Sequence, residues 1–229
     1  MTVIDNVKSA LAPPHRAGFP FIAAGFVILL LGLLVASWVA WIGLIFTLFC
    51  FFFFRDPDRV PPQRNDVLLA PADGRVVLID RAIPPQELGL PEVAVPRVAI
   101  FLSVLDVHVN RIPAAGTVTR VVYRHGVFFN ASDDKAAEEN ERNALAIRLE
   151  GGQMIAVVQI AGLIARRIVC EVHEAEHVTA GARFGIIRFG SRTDLYLPSD
   201  STILVAIGQR MVGGETVIAT TTANARSET

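Results

Sequence analysis

Between positions 17 and 54 the chain runs for 38 residues without one charged side chain, and only Pro20, Ser37 and Thr47 fall outside the apolar set. No other feature limits the fold as strongly. As a single helix the tract would extend about 57 Å, nearly twice the ~30 Å hydrocarbon core of a bilayer. Two segments, residues 19–36 and 38–54, fit better, with Ser37 and the neighbouring Trp38 and Trp41 at an interface. The tract is too long for a secretory signal, and no A-x-A-like cleavage site precedes a polar start. Lys8 and Arg16 lie before it, and Arg55, Arg59 and Arg64 follow. Basic residues on both flanks favour a hairpin with both ends in the cytoplasm. A single tilted span or a re-entrant wedge is the alternative. The expected organisation is a cytoplasmic segment 1–16, a membrane tract 17–54, a catalytic β-rich domain 55–220 and a polar tail 221–229.

Composition narrows the function classes. The chain is 52% hydrophobic, and the excess sits in the tract. The net charge of −1 gives no basic field for nucleic acid. The two cysteines, Cys50 and Cys170, fall one in the tract and one in the domain, so neither a disulfide framework nor a CxxC metal site is expected. Of the 21 basic residues only Lys8 and Lys135 are lysines.

After Pro61-Pro62 the pattern changes to short runs rich in Val and Ile, at residues 75–80, 97–103, 117–123, 154–160, 166–172, 184–189 and 202–208. Gly, Pro, Asn or Asp bounds each one, as strands require. Their spacing suggests a sandwich or barrel. No helical pattern alternates with them, which argues against a parallel α/β sheet. Residues 132–142 alone read as a helix. Residues 81–97, with four prolines, read as an exposed loop. From His177 onward, strands separated by Gly turns resemble a half-barrel module. The fold class is therefore mainly β, barrel-sandwich-like and α+β overall, behind an N-terminal helical hairpin or wedge.

Four constellations could carry chemistry. His173-Glu174-Ala175-Glu176-His177 matches H-E-x-x-H, a zinc-peptidase signature that needs both histidines on one helix face. Its flanks read as strands, so a polar connection is the simpler reading. Pro71-Ala72-Asp73-Gly74 is a turn sequence with one acid. In Leu105-Asp106-Val107-His108-Val109-Asn110-Arg111, an extended backbone would put Asp106, His108 and Asn110 on one face, as an oriented general base needs. Finally, Gly190-Ser191 closes an apolar run. It is either a plain turn or a self-cleavage site. In the second case the glycine tolerates strain while the serine hydroxyl attacks the preceding carbonyl, with a His as base and an Asp orienting it. Elimination of the resulting ester would leave a dehydroalanine and then an N-terminal pyruvoyl group.

The motifs FFRDPDR (53–59), PADG (71–74), FLSVLDVHVNRIPAAG (101–116), FFNASDDKAAEENERN (128–143) and IRFGSR (187–192) occur in that order. Together they resemble the shorter form of the phosphatidylserine decarboxylase proenzyme family, over nearly everything from residue 53 to 220. The resemblance implies that Ser191 becomes the pyruvoyl group, with cleavage between Gly190 and Ser191. It implies His108 as the base, Asp73 as its support and Asp106 as a helper. The substrate would be phosphatidylserine in the bilayer, decarboxylated to phosphatidylethanolamine through a Schiff base. The two cleaved chains, 1–190 and 191–229, would form a heterodimer, with higher oligomers left open. Longer members carry Leu-Gly-Ser-Thr at the cleavage site and a second His where this chain has Arg111. Arg111 and Arg192 are candidates for the substrate's anionic groups. PLP would need a Schiff-base lysine, and Lys135 in an acidic stretch is a poor one, so a pyruvoyl group and no metal is the expected cofactor state. The expected location is the cell membrane, with the catalytic domain on the cytoplasmic face. The alternatives are a membrane zinc peptidase using His173 and His177, or a non-catalytic tethered β-module.

Overall fold

The computed structural model describes residues 12–126, 140–162, 167–188 and 191–221. The chain divides into two compact units, Met1–Asp58 and Arg59–Thr229.

In the first unit the apolar tract forms α1 (Phe19–Val35) and α2 (Ser37–Phe53). Pro20 sits in the first turn of α1, where a missing N–H costs nothing. Ala36 alone, extended at φ −163° and ψ 136°, reverses the chain. Close approach of the helices requires glycine. A Cβ on Gly32 would lie 2.2 Å from the Ala40 nitrogen, and one on Gly43 would lie 2.3 Å from that of Leu29. The ends are tied together, because His15 N donates to Phe54 O at 2.7 Å and Asp56 N to Pro13 O at 2.9 Å. The tract therefore doubles back as a hairpin instead of running on as one helix. Leu34 (84% exposed), Val35 (80%) and Trp38 (66%) turn outward. So much exposed apolar surface fits lipid better than water. Counted from Arg16, the first helix is long and apolar enough to cross a membrane.

The second unit is mainly β, with a curled sheet of eight antiparallel strands in the order β13-β2-β3-β11-β7-β6-β5-β9. These are β2 (Gly74–Ala82), β3 (Val95–Leu102), β5 (Gly116–Arg124), β6 (Arg142–Leu149), β7 (Met154–Ala161), β9 (His177–Val178), β11 (Ser191–Tyr196) and β13 (Arg210–Met211). A three-stranded sheet pairs β10 (Arg183–Ile187) with β4 (Val109–Arg111) and β8 (Ile168–Cys170). Another pairs β14 (Val217–Thr220) with β1 (Val67–Leu69) and β12 (Thr202–Ile203). Side chains alternate across the large sheet. Val76, Val98, Ile100, Leu145, Ile147, Val157 and Leu195 form the main core with Ile112 and Phe184. The opposite face buries Ala144, Ala146, Ala156, Val158, Ile160 and Tyr196 beneath Leu88.

Several sequence expectations need correcting. The run at 202–208 is strand only over Thr202–Ile203. The loop expected at 81–97 narrows to 83–94, because β2 and β3 extend into it, and Leu88 turns inward, only 4% exposed. Of the helix expected at 132–142, residues 132–139 lie outside the described residues, while Arg142 opens β6. β11, the strand between β3 and β7, begins where the sequence suggests only a turn or cleavage site closing the apolar run at 184–189. Its first four residues, Ser-Arg-Thr-Asp, are polar and all six are buried, so hydropathy could not reveal it.

Candidate active site

Ser191 opens β11, in register with Leu102 of β3 on one side and Ala161 of β7 on the other. It is fully buried, and its hydroxyl has no hydrogen-bond partner among the described residues. Such an orphan costs free energy and asks for an explanation. Gly190 lies outside the described residues.

Two chain connections link His108 to the Ser191 strand. Ser103 leaves β3 one residue after Leu102, the partner of Ser191, and the turn that follows leads to His108. In addition, Ile187, four residues before Ser191, donates its N–H to the His108 carbonyl at 3.3 Å. His108 is fully buried. Its Nδ1 lies 2.9 Å from the Asp106 carbonyl. A carbonyl only accepts, so neutral His108 carries its proton on Nδ1 and presents a lone pair at Nε2. That is the tautomer a general base needs.

The orienting group is thus a backbone carbonyl. The extended face expected for Asp106, His108 and Asn110 does not form, because Asp106 sits in a turn before β4. The Asp106 carboxylate closes that turn, accepting from Ser103 N at 2.9 Å and Ser103 Oγ at 2.7 Å. Its other oxygen accepts from Arg210 Nη2 at 3.1 Å.

Asp73 lies in the turn that enters β2. The turn needs glycine at Gly74, where φ is 143° and a Cβ would meet the Phe101 carbonyl oxygen at 2.1 Å. The Asp73 carboxylate accepts from Arg59 Nη2 at 2.8 Å and from Gly213 N at 2.8 Å. Pro71 O accepts from Arg111 N at 2.8 Å, which fastens this turn to β4, the strand that His108 precedes. Arg111 is 4% exposed, and its Nη1 donates to Gly181 O at 3.0 Å. Arg192 is 1% exposed and grips Asp194 through Nε (2.6 Å) and Nη2 (3.0 Å). Arg97 Nη1 also approaches Asp194, at 3.3 Å. Burial pushes the Asp194 carboxyl up, against the pull of Arg192 and Arg97.

Sequence reasoning missed the polar rail beside Ser191. Asn143 Nδ2 donates to Gln159 Oε1 at 2.9 Å, and Gln159 Nε2 donates to Asn110 Oδ1 at 2.7 Å. All three are buried. Gln159 is in register with Thr193, which shares the Ser191 face. The available signal was a single amide inside each of two apolar strands. On the other flank Ala161, Ile168 and Ile187 form an apolar cluster.

The H-E-x-x-H stretch is not a helix. It is a tight turn with Ala175 at φ 69°, closed by His173 N donating to Glu176 Oε2 at 2.9 Å. Glu174 is occupied with Val121 N, and His177 enters β9. Among the described residues no three His, Cys, Asp or Glu side chains group as metal ligands. Burial pushes the Cys170 thiol up, which keeps it protonated and unreactive.

The residues fit a group made from Ser191: a buried hydroxyl beginning a strand, and a buried histidine in the basic tautomer whose carbonyl is bonded to Ile187, four residues upstream of it. Residues 46–219 match the family model for phosphatidylserine decarboxylase. A phosphatidylserine decarboxylase proenzyme of Granulibacter bethesdensis is 62% identical, covering 96% of this chain and 90% of its own length. Those of Gluconacetobacter diazotrophicus and Gluconobacter oxydans are 56% and 55% identical, each covering 96% of this chain and 99% of its own length. The chain belongs to the phosphatidylserine decarboxylase family.

Proposed function

We propose that this protein decarboxylates phosphatidylserine to phosphatidylethanolamine after cutting itself between Gly190 and Ser191. The observation that carries the reading is the buried Ser191 hydroxyl, which has no hydrogen-bond partner among the described residues, four residues after the Ile187 N–H that donates to the His108 carbonyl, with the His108 Nδ1 proton held by the Asp106 carbonyl. His108 Nε2 takes the hydroxyl proton, and Oγ attacks the Gly190 carbonyl. The peptide nitrogen leaves with a proton, which converts the amide to an ester. Loss of the residue-191 α-proton then expels the Gly190 carboxylate and leaves a dehydroalanine, which water converts to a pyruvoyl group with release of ammonia. Full burial of Ser191 keeps water from the ester, so elimination competes well with hydrolysis.

The pyruvoyl carbonyl supplies the electron sink for the substrate's amine that a lysine-bound cofactor would supply elsewhere. The chain's own groups do the rest. The apolar flank of Ala161, Ile168 and Ile187 suits the loss of carbon dioxide, and the rail of Asn110, Gln159 and Asn143 fixes the polar side. Asp73 braces the turn beside β4 through Arg59 and Gly213. The cut chains 1–190 and 191–229 stay together as a heterodimer. β11 of the second is hydrogen-bonded between β3 and β7 of the first, and β14 pairs with β1. The hairpin places the enzyme at the membrane, and the flanking arginines favour the cytoplasmic face.

Intact-mass measurement of active protein tests this. The expected result is two chains, with a blocked 39-residue fragment that reacts with a carbonyl reagent. One uncut 24.8 kDa chain in active material would sink the proposal.

A further inference from the structure

Three buried side-chain groups have no hydrogen-bond partner among the described residues and gather over one face of the large sheet. They are the Ser191 hydroxyl, the Thr193 hydroxyl and Asn110 Nδ2. All three residues are fully buried. Each such orphan costs free energy, so three together ask for a common reason.

Register and hydrogen bonds bring them together. Thr193 follows Ser191 by two residues in β11, so both side chains leave the same face. Gln159 of β7 stands directly opposite Thr193, and diagonally from Ser191. Residues directly opposite have Cβ atoms about 4.5–5.5 Å apart, and diagonal neighbours lie about 7–8 Å apart. Gln159 Nε2 donates to Asn110 Oδ1 at 2.7 Å, while its Oε1 accepts from Asn143 at 2.9 Å. Held at both atoms, Gln159 fixes the Asn110 amide with Oδ1 taken and Nδ2 left to donate. Asn110 itself lies in β4, two residues after His108. Its strand pairs with β10, which ends at Ile187, four residues before Ser191.

Self-cleavage uses the Ser191 hydroxyl and leaves the other two groups. An amide N–H and a hydroxyl, both away from water, then form a donor pair without an acceptor among the described residues. The chemistry of position 191 supplies one, because processing converts its α-carbon into a ketone carbon. Hydrogen bonds to the ketone oxygen draw electron density from that carbon and speed attack by an amine, more so in a water-poor site than in water. The substrate's carboxylate is a poorer match for the pair. Neutral donors that gripped it in the bound state would oppose its loss as carbon dioxide.

We propose that Asn110 Nδ2 and the Thr193 hydroxyl donate hydrogen bonds to the ketone oxygen formed at position 191, and so activate the ketone toward the substrate's amine. The inference rests on Ser191 as the source of that group. Intact mass of each preparation is therefore read first. An uncut, active wild-type chain sinks that reading and this proposal with it, whereas cut variants with an unaltered ketone sink this proposal alone.

The test compares processed wild type with Thr193→Val, Thr193→Ser and Asn110→Leu. The ketone is exchanged in isotope-labelled water, and its stretch is read by infrared difference spectroscopy. Loss of either donor should move the band to higher frequency, and Thr193→Ser should leave it in place. The second-order rate with hydroxylamine should fall about three- to tenfold in Thr193→Val and in Asn110→Leu, the worth of one neutral hydrogen bond. With phosphatidylserine in mixed micelles, kcat should fall more than KM rises. An unmoved band and an unchanged hydroxylamine rate in cut Thr193→Val overturn the proposal. So does a folded Thr193→Val that fails to cut itself, because the hydroxyl would then serve Ser191 in self-cleavage and not the ketone. Thr193→Val only exchanges an unpartnered hydroxyl for a methyl group, so it decides the matter even if Asn110→Leu, which strands Gln159, does not fold.

Discussion

Strand β11 carries buried polar groups on both of its faces, and the two faces treat them in opposite ways. Ser191 and Thr193 point to one side, and neither hydroxyl has a partner among the described residues. Arg192 and Asp194 point to the other side and are bonded to each other twice. All four are at most 1% exposed. Burial is equal, so the difference lies in satisfaction. A paired charge far from water holds structure, and it is costly only when one partner is removed. An unpaired hydroxyl contributes little to stability and is available for chemistry. Alternation along an extended strand lets one segment do both tasks.

Substitutions on the two faces should therefore separate function from stability. The largest effect is on the hydroxyl face. Ser191→Ala should leave the chain uncut and abolish decarboxylation, yet its thermal midpoint should equal or slightly exceed that of the wild-type proenzyme, since an orphaned polar group has gone. His108→Gln should slow processing by about 10²–10⁴-fold, the usual worth of a positioned base. Mass spectrometry over time measures both. Rapid cutting in His108→Gln would remove the histidine from the scheme.

The charged face should show the reverse. Asp194→Ala leaves Arg192 buried without its carboxylate and should cost about 3–5 kcal/mol, or roughly 10 °C in thermal midpoint for a domain of this size. Arg192→Met with Asp194→Leu should recover most of that loss, because two apolar side chains replace the pair. If the double variant were no more stable than Asp194→Ala, the pair would matter for more than mutual neutralisation. A third, smaller effect belongs to the rail. Gln159→Leu strands the amides of Asn110 and Asn143 and should cost about 1–3 kcal/mol, read by chemical denaturation of the proenzyme.

The sequence disclosed the hydroxyl face better than the charged one. The order of five motifs suggests Ser191, His108 and Asp73, and the uncharged tract suggests a hairpin broken at Ser37, one residue past the Ala36 that reverses the chain. Both signals are local. What stayed hidden depends on register. Asp106 looked like the orienting acid, yet its carbonyl does the orienting while its carboxylate closes a turn, and no spacing rule separates those roles. Arg192 looked like a ligand for an anion because nothing in the sequence says that Asp194 shares its face inside a buried strand. Gln159 and Asn143 gave only the weak signal of one amide in an apolar run, and their partnership with Asn110 comes from the packing of β4 over the sheet.

The smallest expected effect lies at a polar pair with one exposed member. Tyr123 of β5, 41% exposed, donates its hydroxyl to Glu141. Burial, then the bond to Glu141 and its negative charge, pushes the Tyr123 hydroxyl up to about 12 from 10.0. The folded protein thus keeps this proton at a pH where the unfolded chain has lost it. With more protons bound in the native state, stability falls as pH rises. The contribution is fully present below the unfolded value near 10 and fades as pH climbs through 10 to about 12. Tyr123→Phe should flatten that slope while leaving stability near neutral pH almost unchanged, since water screens the exposed tyrosine end of the pair. Urea denaturation between pH 9 and 12 measures it. If the variant kept the full slope, the alkaline loss would arise elsewhere, and if it lost as much stability at pH 7 as Asp194→Ala, exposure would not separate weak polar pairs from strong ones in this fold.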